Sequence, residues 1–131
     1  MKCLLDTGVF LLARAAPHKL NRRARRLLLQ EREDLFLSAV SSWEISIKYA
    51  LGRLRLPEPP AQYVPASLAN WGIEGLEITH RHALAAGELP LHHHDPFDRM
   101  LIAQAQLEQL VLLTADRIFE KYAVKMLWCG L

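Results

Sequence analysis

Apolar residues fall in two rhythms along this chain. Short unbroken runs mark buried strands, and longer stretches with apolar residues every three or four positions mark amphipathic helices. Cys3, Leu4 and Leu5 make the first strand, ending at Asp6, and residues 7–13 a helix. Residues 18–31 predict a second helix, with Leu20, Ala24, Leu27 and Leu28 on its apolar stripe and Arg22, Arg25 and Arg26 opposite. Residues 34–38 are a second strand. Ser41 opens a helix to about Leu51, closed by Gly52. Residues 61–71 predict a helix kinked or broken at Pro65, and residues 75–78 a weak strand. Thr79 caps a helix through about Glu88. The strongest strand spans residues 110–114, one or two helical turns follow over 116–122, and residues 124–128 are a last strand.

The stretch from Leu91 to Ala105 is the one around which the others are arranged. Asp95 is a good N-cap, Pro96 suits the first helical position, and Phe97, Leu101, Ile102 and Ala105 share one inward face. Asp98 lies in the first turn, where a carboxylate also complements the helix dipole.

Strands alternating with helices predict an α/β fold with a parallel sheet covered on both faces. Residues 1–131 are read as one domain, because the proline-rich stretch at 56–60 leaves too little chain on either side for two cores. In such folds the ligand crevice lies at the carboxyl ends of the strands, where strand order reverses. Asp6 ends the first strand, Glu44 follows the second, Asp98 starts the helix leading to the fourth, and Asp116 follows the fourth. Four distant carboxylates can therefore meet at one edge.

Each acid also has a purely structural reading. Ser41-Ser42-Trp43-Glu44 has the form of a capping box, Glu44 and Lys48 form an i,i+4 pair, and Asp6 and Asp116 can cap helices. Jointly these readings leave a problem. Like charges about 4 Å apart repel by roughly 4 kcal/mol at an effective dielectric near 20. Clustered oxygen ligands suit Mg²⁺ or Mn²⁺, which keep waters for a phosphate substrate.

Composition adds limits. With 51% hydrophobic and 23% charged residues the chain is an ordinary globular one, and a net charge of +2 does not by itself argue for nucleic acid. Two distant cysteines, Cys3 and Cys129, fit a reducing cytosol better than a disulfide scaffold. Residues 1–12 are too short to span a bilayer and carry Lys2 and Asp6, so neither a signal peptide nor a membrane segment is expected.

The segments Leu4-Leu5-Asp6-Thr7, Ser41-Ser42-Trp43-Glu44-Ile45, Asp95-Pro96-Phe97-Asp98-Arg99 and Thr114-Ala115-Asp116 together closely resemble the PIN-domain family. More narrowly, they are similar to the VapC-type toxins of toxin–antitoxin pairs. Each segment alone is weak; their order and spacing over nearly the whole chain are specific. The resemblance implies a three-layer α/β/α sandwich on a mostly parallel sheet of about five strands. It implies a cytoplasmic Mg²⁺- or Mn²⁺-dependent endoribonuclease, a homodimer, held in check by a cognate antitoxin. The family's acids match Asp6, Glu44, Asp98 and Asp116, with Asp6, Asp98 and Asp116 as ligands and Glu44 binding metal or positioning water. Asp95 matches an extra acid, Thr114 a supporting hydroxyl, and Thr7 is a further supporting candidate. Its sheet order implies that the fourth strand separates Cys3 from Cys129. The chain departs from the pattern at Gly8, where many relatives carry histidine, and at Phe10 and Leu11; no metal ligand is lost.

Several features stay open. His92, His93 and His94 can be read as a zinc motif or as a solvated loop at the rim of the site. Arg22, Arg23, Arg25 and Arg26 can bind phosphates, face solvent or meet a partner. Trp43, Trp71 and Trp128 are read as core rather than as base-stacking platforms. Two other functions are alternatives: a catalytically inactive, metal-binding regulatory α/β module, and an aspartic-protease-like enzyme suggested by Leu5-Asp6-Thr7-Gly8. The latter fold is mostly β, and the long helical patterns argue against it.

Overall fold

The structure, a computed structural model, describes residues 1–30 and 34–131. Five strands form one sheet: β1 (Lys2–Leu5), β2 (Asp34–Ser38), β3 (Glu74–Leu76), β4 (Val111–Thr114) and β5 (Met126–Trp128). Their order is β3-β2-β1-β4-β5, and every neighbouring pair is parallel. Six α-helices join or cover them: α1 (Thr7–Ala15), α2 (Arg22–Leu29), α3 (Ala39–Ala50), α4 (Pro60–Trp71), α5 (His80–Glu88) and α6 (Pro96–Glu108).

Side chains alternate across the sheet, and the unbroken apolar runs follow from that. Cys3, Leu5, Leu35, Leu37 and Leu113 face a core shared with Val9, Phe10, Leu27, Leu28, Tyr63 and Val64. Leu4, Phe36 and Leu112 face the opposite core, with Leu101, Ile102, Ala105 and Phe119. Both faces are buried, so the strands show no polar alternation. The result is the three-layer sandwich, and its parallel crossovers put Asp6, at the end of β1, beside the segment after β4. Strand order reverses here, with β2 and β3 on one side of β1 and β4 and β5 on the other.

Local chemistry moves several boundaries. Helix α2 begins at Arg22 rather than near His18, because Asn21 is its N-cap and accepts from the Ala24 amide at 2.8 Å. The Asn21 amide also donates to the carbonyls of Trp128 and Gly130, a long-range tie that no local pattern displays. Residues Pro17–Lys19 form a 3₁₀ turn instead. The helix ends at Leu29; the expected end at Glu31 lies outside the described residues.

Helix α3 begins at Ala39, not Ser41. Strand β2 runs straight into it, and the Ser38 hydroxyl caps it by accepting from Val40 at 3.0 Å. The capping box expected at Ser41–Glu44 is therefore absent. Ser41 instead accepts a hydrogen bond from Thr7 at 2.9 Å, joining α1 to α3. The break expected at Pro65 does not occur either: α4 continues through it, with Tyr63, Val64 and Ser67 buried on one face. That packing outweighs the roughly 3 kcal/mol a mid-helix proline costs. Helix α6 overruns Ala105 to Glu108 and closes on Gln109 in the left-handed region, at φ 56°. No described helix is long and apolar enough to cross a membrane.

Cys3 and Cys129 are both fully buried thiols, and β4 lies between the strands that carry or precede them. Burial, with the nearby charge of Asp6, pushes the Cys129 thiol up to about 12. Since thiolate is the reactive form, alkylation of the native protein is expected to be slow. Unfolding without reductant should release two titratable thiols; finding none would contradict this arrangement.

Candidate active site

Asp6 is 6% exposed, and its carboxylate caps α1 by accepting from the Val9 amide at 2.6 Å. The capping and the site readings thus both apply to it. Burial is the main reason its carboxyl is raised to about 6, with Asp98 and Asp116 adding repulsion. The Thr114 hydroxyl and the Val9 amide oppose that shift. Thr114, fully buried at the end of β4, also accepts from the Asp116 amide at 3.0 Å and so shapes the turn carrying that acid. Asp116 is exposed and caps the 3₁₀ turn Arg117–Lys121 through Ile118.

Asp95 caps α6 by accepting from Phe97 at 2.8 Å and Asp98 at 3.2 Å. That fixes Asp98 in the first turn. Burial raises the Asp98 carboxyl to about 6, and Asp95 and Glu44 raise it further, while a bond from His93 opposes them. Glu44, from the second turn of α3, is buried; one of its oxygens meets Lys48 at 2.6 Å. That hydrogen bond, with weaker fields from Asp95 and Asp98, holds the lysine ammonium above its ordinary range.

Mutual fields thus link Asp6, Glu44, Asp95, Asp98 and Asp116 at the carboxyl edge of the sheet. They do not form one tight cluster. Among the described residues, the group of three whose ligand atoms all approach within 4.8 Å is His93, Asp95 and Asp98. Of the four acids expected from the sequence, only Asp98 belongs to that group. Thr7 serves the helix pair α1–α3 through Ser41. At Gly8 a Cβ would stand 3.6 Å from Asp6 Oδ1, an ordinary van der Waals contact, so the space there does not demand glycine.

The donor set fits a divalent cation. All the acids offer hard oxygens, and Glu44 Oε1 is buried without a hydrogen-bond partner. A buried carboxylate oxygen left unpaired is costly unless something positive completes it.

Two residues escaped the sequence reading. The histidine triplet is not merely a solvated rim: His93 is half-buried, and its Nε2 meets Asp98 Oδ2 at 2.8 Å, while His92 and His94 are exposed. Arg99, buried within the Asp95–Arg99 segment, donates to the carbonyls of Ala86, Gly87, Leu89, Pro90 and His93 at 2.9–3.4 Å. It ties the end of α5 and the loop carrying His93 to α6. The sequence shows only an arginine in the first turns of a mostly apolar helix, and nothing in the spacing names its partners.

Arg99→Met should leave several of these carbonyls unsatisfied. At about 1–3 kcal/mol for each buried group without a partner, a loss of at least 3 kcal/mol is expected by denaturant melting. Arg99→Lys, with one nitrogen instead of a fork, should fall between. Wild-type stability in the methionine variant would refute the clamp.

Trp43 is a correction of another kind. It is 61% exposed, with its ring against Phe97 at 5.3 Å, edge to face. Trp71 and Trp128 are partly buried. The arginines lie elsewhere: Arg22, Arg23 and Arg26 line an open cavity of about 430 Å³ with Met1 and Leu27, at the amino end of β1 and away from the acids.

Fold and site together describe an α/β protein with a set of acidic side chains at the sheet's switch point. The chain belongs to the PIN domain family, whose model matches residues 3–125. It is 35% identical over 89 residues to Ribonuclease VapC16 of Mycobacterium tuberculosis, an alignment spanning 63% of each chain. Solved structures share the fold at lower identity. One is VapBC2 from Rickettsia felis bound to a DNA fragment from its promoter, with TM-score 0.73, 15% identity, and 99% of this chain and 100% of that one covered. Another is DNA-bound VapBC from Salmonella typhimurium, with TM-score 0.69, 21% identity and 97% of both chains covered. The aspartic-protease alternative fails on this fold: Asp6-Thr7-Gly8 starts a helix after a parallel strand.

Proposed function

We propose that this protein is the ribonuclease toxin of a toxin–antitoxin pair, a divalent-metal-dependent endoribonuclease. The observation that carries this reading is the repulsion of Asp6 by Asp98 and Asp116, and of Asp98 by Glu44, in a PIN fold. The relative named a ribonuclease and the structural neighbours named as VapBC complexes support it.

Asp6, Asp98 and Asp116 hold Mg²⁺ or Mn²⁺, and Glu44 offers its unpaired Oε1 to the ion or to a water. When bound, the ion supplies Lewis acidity toward the scissile phosphate. The chain's own residues do the rest. Asp95 and Val9 fix the helix starts that carry Asp98 and Asp6. Thr114 shapes the turn of Asp116, His93 orients the Asp98 carboxylate, and Lys48 provides a positive charge beside Glu44. The substrate is RNA, the inhibitor a cognate antitoxin protein, and the working unit a cytoplasmic homodimer.

The test is incubation of the purified protein with structured RNA under Mg²⁺, Mn²⁺ or EDTA. Discrete fragments with metal and none with EDTA are expected. A folded, metal-binding protein that leaves RNA intact would instead be the regulatory module.

A further inference from the structure

An exposed tryptophan needs an explanation that the fold does not supply. Trp43 precedes Glu44 on α3, and the ring it touches, Phe97, sits between Asp95 and Asp98 at the start of α6. Two aromatic rings from different helices therefore meet at the border of the acidic centre, with most of the indole in solvent. We propose that Trp43 is a base-stacking residue: with Phe97 it forms an aromatic step that takes one unpaired nucleobase of the RNA beside the scissile phosphate.

The inference rests on the ribonuclease reading and names part of its substrate recognition. A phosphodiester brought to the acids must place the bases attached to it within reach of that step. Stacking on a flat aromatic face tolerates any base, but the base must be free of its helix. The surroundings favour a base over a protein partner. One turn away from Trp43 on α3 stand Ala39 and Ser46, both exposed, and Ile47, half-buried. Trp43 adjoins Glu44 and Phe97 adjoins Asp98 in the chain, so a ligand seated on the two rings lies beside the acids themselves, where the base attached to a bound phosphate must fall.

The consequence is a preference for unpaired RNA, with Trp43 contributing to binding rather than to the chemical step. Trp43→Ala should raise KM for a short unstructured oligoribonucleotide about 5- to 150-fold, the range for loss of one stacked base, with kcat nearly unchanged. Trp43→Phe should recover part of the loss. Oligonucleotides with one abasic position walked along the strand should show one position where wild type loses affinity and Trp43→Ala loses no more. Binding under Ca²⁺ should quench tryptophan fluorescence in wild type and much less in Trp43→Phe.

If wild type cleaves RNA but Trp43→Ala has the same KM and no abasic position distinguishes them, the stacking proposal is wrong while the nuclease reading stands. If Trp43→Ala instead abolishes self-association or antitoxin binding with KM unchanged, the ring belongs to a protein interface and the proposal is likewise overturned. Failure of wild type itself to cleave RNA would remove the reading underneath.

Discussion

Asp6→Asn is expected to lower RNA cleavage by at least about a thousandfold while leaving the fold intact. Asp6 is the acid at which both roles converge, capping α1 and facing Asp98 and Asp116. Asparagine still accepts from the Val9 amide, so the cap survives. What disappears is the negative charge that holds the cation. Metal ions contribute several kcal/mol of transition-state charge stabilisation, and about 4 kcal/mol corresponds to roughly a thousandfold in rate. Asp98→Asn, Asp116→Asn and Glu44→Gln should behave alike. Asp95→Asn should be milder, because the principal visible duty of Asp95 is to cap α6. Single-turnover cleavage with saturating Mn²⁺ is the measurement, with circular dichroism as the folding control. Full activity in a folded Asp6→Asn or Asp116→Asn variant would end the assignment.

The second large effect is on stability, and its sign separates a cation centre from a set of helix caps. Burial raises the carboxyls of Asp6 and Asp98 from the ordinary 3.8 to about 6. Between pH 4 and 6 the folded state therefore binds more protons than the unfolded one, and this contribution to stability falls as pH rises through that window. For Asp6, nearly fully buried, the stability lost by pH values above 6 is up to about 3 kcal/mol; for Asp98, partly exposed, the loss is smaller. Metal-free protein in EDTA should thus melt higher at pH 5 than at pH 7.5. Added Mn²⁺ should restore stability at pH 7.5, by about 2.7 kcal/mol at a hundredfold excess over Kd. It should do less at pH 5, where Asp6 and Asp98 are mostly protonated.

Asp98→Asn sharpens the test. With one repelling charge gone, its melting temperature in EDTA at pH 7.5 should rise, by about 3–5 °C for each kcal/mol in a chain of this size. The further gain from Mn²⁺ should shrink. A cap alone predicts the opposite, a loss of some 0.3–1 kcal/mol when a favourable charge leaves a helix N-terminus. A wild type indifferent to Mn²⁺, with a variant less stable in every buffer, would return these acids to structural duty.

Much of this was legible in the chain. Apolar runs revealed β1, β2, β4 and β5, because a strand buried on both faces leaves no room for polar alternation; the edge strand β3, Glu74–Leu76, is mostly exposed, and the weak strand expected at 75–78 only overlaps it. Asp95 and Pro96 marked the start of α6 because capping is local chemistry, complete within a few residues. Alternation of strands and helices implies a parallel sheet, and a parallel sheet lets Asp6, Glu44, Asp98 and Asp116 share one edge.

The errors share one physical origin. Ser41 looked like a cap because its hydroxyl has a local option, yet it spends that hydroxyl on Thr7, 34 residues away. The start of α2 was set by Asn21 bonding the chain's last strand and the residues after it. Trp43 reads as core by composition, but the turn of α3 that buries Glu44 leaves the neighbouring residue in solvent. His93 and Arg99 acquired roles only when the loop after α5 folded against α6. The sequence by itself determined the strands, the helices that begin with a strong cap, and the acids available to a cation. Only tertiary structure decided which hydroxyls, rings and cations serve those acids, because those bonds join residues whose separation along the chain carries no period.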